Sequence, residues 1–142
     1  MAPEDARLVV YTWKRIGPLA DRAAGLFYDR LFEITPTTRA HVSVDMMPAF
    51  RRSLMTSIDW AVNEILRSST IASVRPGLAA APPLAHDARD PFLGAAAEQA
   101  SAALLWMLHA ILGRDWTPRH EAAWTAAAPE IVAALRPAPS IV

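Results

Sequence analysis

Tyr28 and the four histidines, His41, His86, His109 and His120, are the side chains of this chain best suited to chemistry near neutral pH. A neutral imidazole can give one ring nitrogen to a metal while the other donates to a backbone carbonyl. A phenol can donate one hydrogen bond to a developing negative charge. Arg51 and Arg52 add planar guanidinium forks that match carboxylates, and Met46 and Met47 add soft sulfur. There is no cysteine, which excludes disulfides, thiolate metal sites and a cysteine nucleophile. His109 and His120 fall on different helical segments, so no ligand spacing within one helix joins them. The sequence carries no phosphate loop, dinucleotide fingerprint, nucleophile elbow or HExxH motif.

These side chains must be held by helices, and prolines mark where the helices begin. Pro3 opens a helix with Val9, Trp13 and Ile16 on one face. Gly17-Pro18 ends it and opens a second, whose apolar positions Ala20, Ala24, Phe27, Leu31 and Ile34 form one stripe. Tyr28 lies just off that stripe, so its ring can be buried while its hydroxyl needs a polar partner. Thr35-Pro36 opens a short third helix. Met47-Pro48 begins a long one with Phe50, Leu54, Ile58, Ala61 and Ile65 aligned. Ser68-Ser69-Thr70 and Pro76-Gly77 weaken the pattern, and Leu78 to Ala88 reads as irregular. Asp90-Pro91 opens another long helix with Ala97, Ser101, Leu105, Leu108 and Leu112 on one face, closed by Gly113. Thr117-Pro118 opens the last, carrying His120, Trp124, Ala127, Ile131 and Leu135, with Pro129 inside it as a kink or a lost hydrogen bond. No segment alternates as a half-buried strand does. The expectation is one all-α domain over residues 1–142, with six or seven helices.

Composition narrows the function. Lys+Arg and Asp+Glu balance at 14 each, which excludes a strong electrostatic footprint for nucleic acid or an anionic membrane. The acidic start Met1-Ala2-Pro3-Glu4-Asp5 does not read as a secretory signal. The longest nearly apolar run, Ala100 to Leu112, is too short to span a bilayer. A soluble, cytoplasmic protein is expected.

The stretch Leu26-Phe27-Tyr28-Asp29-Arg30-Leu31-Phe32-Glu33-Ile34, followed by Thr35-Pro36-Thr37-Thr38-Arg39, closely resembles the second and third helices of bacterial single-domain globins and of the globin half of flavohaemoglobins. Ala102-Ala103-Leu104-Leu105-Trp106, Leu112-Gly113-Arg114-Asp115-Trp116-Thr117-Pro118 and Ala122-Ala123-Trp124 resemble the last two helices of that family. Asp45-Met46 and Leu54-Met55 resemble the approach to its distal helix, with one extra residue between them. The resemblance implies a globin fold, a b-type haem and a diatomic gas, dioxygen or nitric oxide, as ligand. Oxygen binding, transport, sensing and nitric oxide detoxification all belong to that family.

Carried over residue by residue, the family's distal tyrosine falls on Tyr28 and is kept. Its distal glutamine position falls on Phe50, beside Leu54. The phenylalanine that wedges the porphyrin falls on Val42, and a pocket tyrosine of the penultimate helix falls on Ala97. The carboxylate of the proximal network falls on Pro139. Counted back from Ser101, the proximal ligand position falls on Asp87, beside His86; counted forward from Val74, it falls on Pro82. The loop therefore carries an insertion, and with that insertion ahead of the histidine, His86 is the iron ligand. Arg51 is a candidate propionate partner. The reductase half is missing, so dioxygenase activity would need a separate reductase, and a gas-binding protein is expected rather than a stand-alone enzyme. A homodimer is compatible with the resemblance.

Every one of these residues also has an ordinary structural role. Tyr28 can be a satisfied core tyrosine. His86 can be a solvated loop residue between Pro82-Pro83 and the acids Asp87 and Asp90, and His41 can be solvated too. His109 and His120 fit a core or an interface, the arginines a solvated helix face, and Trp60 a partly exposed position. The changes at Val42, Phe50 and Ala97 together motivate the alternative: a globin-fold sensor or interaction domain without haem.

Overall fold

The computed structural model describes residues 3–70 and 90–135. Among these residues there is no strand. Helix α1 spans Pro3–Ile16, α2 Ala20–Ile34, α3 Met47–Thr70, α4 Pro91–Gly94, α5 Ala97–Leu112 and α6 Pro118–Leu135. Short 3-10 turns link them at Gly17–Leu19, Pro36–His41, Val44–Met46 and Gly113–Asp115. Among the described residues five helices are long and α4 is a single turn, where six or seven helices were expected. None of the described helices is long and apolar enough to cross a membrane.

Proline fixes φ and lacks an N–H that a first turn would leave unpaired, and this places the helix starts. Pro18 and Pro36 sit in the 3-10 turns that precede or follow α2, while Pro48, Pro91 and Pro118 lie in the first turns of α3, α4 and α6. α5 ends at Gly113, whose φ of 52° is the one positive value among the described residues. A side chain is strained in that conformation, so glycine is the residue that lets the chain reverse there. Pro129 lies on the exposed side of α6, where the carbonyl it leaves unpaired can reach water, and the helix continues to Leu135.

α2 makes its most extensive packing against α5. Ala23 and Ala24 on α2, and Ala100 and Ala103 on α5, are fully buried, which lets two backbones approach closely. α1 packs on α3 and α6, α6 also on α5 and α3, and α2 on α3. Trp13 donates from its indole to Asp59 at 3.2 Å, tying α1 to α3. The core runs through Val9, Ile16, Phe27, Leu31, Leu54, Ile58, Leu104, Met107, Leu108, Trp124 and Ile131.

Two sequence expectations need correction. Asp90-Pro91 opens only the single turn of α4; Ala95 and Ala96 are then extended, and α5 starts afresh at Ala97. The buried face of α5 is Ala100, Ala103, Leu104, Met107, Leu108 and Leu112, with Ala97 exposed and Ser101 and Leu105 half-buried. α5 is apolar almost all round, so spacing alone could not select its inner face. The segment Leu78 to Ala88 and the tail Pro137-Ala138-Pro139 lie outside the described residues.

Candidate functional site

α2 carries Phe27 and Tyr28 side by side into the core. Their rings meet edge to face, with centroids 5.3 Å apart, and Phe92 of α4 lies 6.1 Å from Phe27. Tyr28 is 1% exposed, and its hydroxyl has the polar partner that a buried phenol needs. It donates to Asp90 Oδ1 at 2.9 Å, and the Phe50 carbonyl stands at 3.3 Å as a second acceptor. The phenol has one hydrogen, so the shorter contact to the carboxylate takes it.

Asp90 is itself 1% exposed, which corrects its reading as a surface acid. Its Oδ1 also accepts the Phe92 N–H at 2.9 Å, capping the start of α4. One carboxylate oxygen thus closes a helix end and holds a tyrosine 62 residues earlier in the chain. Burial pushes the Tyr28 phenol well above the usual tyrosine range; the charge of Asp90 and the hydrogen bond to it push the same way, and Arg51 opposes them.

Beside Tyr28 lies a half-open cavity of about 160 Å³. Gly25, Asp29 and Phe32 of α2 line it with Arg39, Val42, Ser43 and Val44 of the connection, and Met47 and Arg51 of α3. Arg39 lies over the Phe32 ring, 5.6 Å from its centroid. Arg51 donates from Nε to Asp21 at 3.1 Å.

The structure therefore brings together Tyr28, Val42, Phe50 and Arg51. Leu54 is fully buried one turn further along α3. Ala97 and Ser101 do not line the cavity. His41 lies in the Pro36–His41 turn, and His86 lies outside the described residues. Met46 and Met47 are half-buried, and Arg52 is exposed. Asp90, Arg39 and Phe32 were missed by sequence reasoning. The signal for Asp90 was the buried phenol's need for an acceptor; Asp-Pro was read as a helix start alone.

His109 and His120 are not core residues. His109 is exposed and His120 half-buried, and they flank the Trp116 ring at 5.8 and 5.6 Å. His120 serves the start of α6. Its Nδ1 accepts from the Thr117 N–H at 3.3 Å, and the Thr117 hydroxyl oxygen accepts from the His120 N–H at 3.3 Å. This is a reciprocal cap with histidine in the usual glutamate place. Trp116 donates from its indole to Glu121 at 2.9 Å. Among the described residues no group of three or more His, Cys, Asp or Glu is placed to hold a metal ion.

Haem is the cofactor that the resemblance implies, and the described side of the site fits it poorly. The hydroxyl that would face a gas is committed to Asp90.

No protein-family model matches the chain, and no curated protein matches it.

Proposed function

We propose that this chain is a globin-fold domain that works without haem, as a sensor or interaction domain rather than as a gas carrier or an enzyme. The observation that carries the reading is the buried hydrogen bond from Tyr28 to Asp90. A distal tyrosine stabilises a bound gas by donating its single hydrogen, and here a carboxylate already holds it. Phe50 and Phe92 fill neighbouring space with apolar bulk, each nearly fully buried. A protein that had lost a large cofactor would need such filling, because an empty cavity is destabilising.

The globin part of the proposal is supported by the packing of α2 across α5, of α1 and α5 on α6, and of α2 on α3. It rests further on the resemblance of α2 and of the α5–α6 corner. The changes at Val42, Phe50 and Ala97 agree with a pocket no longer selected to grip a porphyrin.

A second reading keeps haem, with His86 on the iron and Tyr28 facing dioxygen or nitric oxide. The burial of Tyr28 where a distal tyrosine is expected favours it. It requires Tyr28 to release Asp90.

Titration with haemin, followed by ultraviolet-visible spectroscopy of the wild type and of His86→Ala, tests the choice. The haem-free reading expects no stoichiometric Soret band and no difference between the two proteins. A stoichiometric band that shifts with carbon monoxide and is lost in His86→Ala overturns it.

A further inference from the structure

The cavity beside Tyr28 has a size, a wall and a charge pattern that together describe a ligand. A half-open space of about 160 Å³ has room for one small organic molecule. Phe32, Val42 and Met47 supply apolar wall, the exposed Val44 lies at the rim, and Tyr28 contributes from the core side. Gly25 leaves one side open: a Cβ built there meets nothing within 4 Å.

Two guanidiniums, Arg39 and Arg51, line the same space, with Asp29 as the one carboxylate among the lining residues. Arg39 lies over Phe32, a cation–π contact that keeps its guanidinium beside the apolar wall. Arg51 is paired with Asp21, whose side chain is 84% exposed. An ion pair to so exposed a partner contributes little, so another carboxylate can take its place at small cost. Guanidinium matches carboxylate geometry with two parallel hydrogen bonds, and Ser43 adds a hydroxyl donor. Asp29 repels a second negative charge and so favours a single carboxylate over two.

From these observations we propose that the cavity binds a small monocarboxylate with a flat or compact apolar body, about the bulk of benzoate, its carboxylate held by Arg39 and Arg51. The inference deepens the haem-free reading by naming what such a domain would sense, and it rests on that reading.

The test uses benzoate as the probe, titrated into the full-length haem-free protein and followed by amide chemical shifts. Saturable shifts are expected at Gly25, Arg39 and Ser43. Benzyl alcohol, which keeps the ring and loses the charge, should bind about tenfold more weakly or worse, a difference of about 1.4 kcal/mol. The double variant Arg39→Gln/Arg51→Gln should weaken benzoate by at least the same factor. Gly25→Met fills the cavity without touching either charge and replaces a helical glycine by a better helix former, so it should fold and lose benzoate binding. Circular dichroism checks the fold of each variant, and Gly25→Met decides if the double variant does not fold. Absence of saturable shifts overturns the proposal, as does equal binding of benzyl alcohol or undiminished binding by Gly25→Met. A Soret band in the haemin titration counts against the haem-free reading. Failure of benzoate to bind haem-free protein counts against this site alone.

Discussion

Two clusters in this molecule use the same kinds of groups with opposite consequences. At Tyr28, an aromatic ring, a carboxylate and a helix start meet in the core. At Trp116, an aromatic ring, a carboxylate and a helix start meet at the surface. Both cap a helix and both satisfy an aromatic donor. The difference is burial. In the core, each group that loses its partner stays desolvated, so the contacts hold one another in place. At the surface, water replaces whatever is removed. The lesson is that hydrogen-bond chemistry alone does not mark a site; the cost of leaving a group unpaired does.

Removing the shared acceptor breaks the comparison most sharply. Asp90→Ala leaves the Tyr28 phenol with only the longer contact to Phe50 and leaves α4 uncapped. Equilibrium urea unfolding should show a loss on the order of 1–3 kcal/mol, the sum of a short buried hydrogen bond exchanged for a longer one and a missing cap. A loss under about 1 kcal/mol would mean that the buried cluster behaves like the surface one.

The pH dependence sharpens it next. The folded state holds the Tyr28 phenol protonated beyond the usual tyrosine range. Above the unfolded tyrosine pKa, about 10, the unfolded chain releases this proton and the folded one keeps it, so unfolding gains. The contribution of Tyr28 is therefore whole below that pH and is lost as pH rises towards the folded value. In a Tyr11→Phe background, the tyrosinate absorbance band should emerge only well above pH 10, and stability should fall across the same window. Tyr28→Phe in that background should flatten the fall.

The smallest effect belongs to the surface cluster. Thr117→Ala removes one side of the reciprocal cap on α6, and thermal unfolding should register a loss of about 1 kcal/mol. A loss as large as that of Asp90→Ala would erase the distinction between the two regions.

The helix starts were legible because proline acts through its own covalent geometry, which needs no tertiary context. The burial of Tyr28 was legible too, since its neighbours on the stripe fix which way α2 faces. Its partner was not, because the pairing spans 62 residues and the local role of Asp90 as a cap already accounted for it. The inner face of α5 escaped because a helix that is apolar nearly all round carries no contrast. His109 and His120 were read as core or interface residues from their apolar neighbours, and the structure gathers both round Trp116 at the end of α5 and the start of α6. Val42 and Arg51 line one cavity, and Arg39 enters it through the turn geometry that follows Pro36.

The span of the Tyr28–Asp90 contact also bears on time. Helices form from neighbours in the chain, but joining two positions this far apart requires a long loop to close first. If the contact forms late, Asp90→Ala should speed unfolding in stopped-flow more than it slows refolding; the reverse would place it in the folding nucleus. In the first case the buried hydrogen bond is a clasp on the finished domain, felt in how long the folded state persists and not in how quickly it is reached.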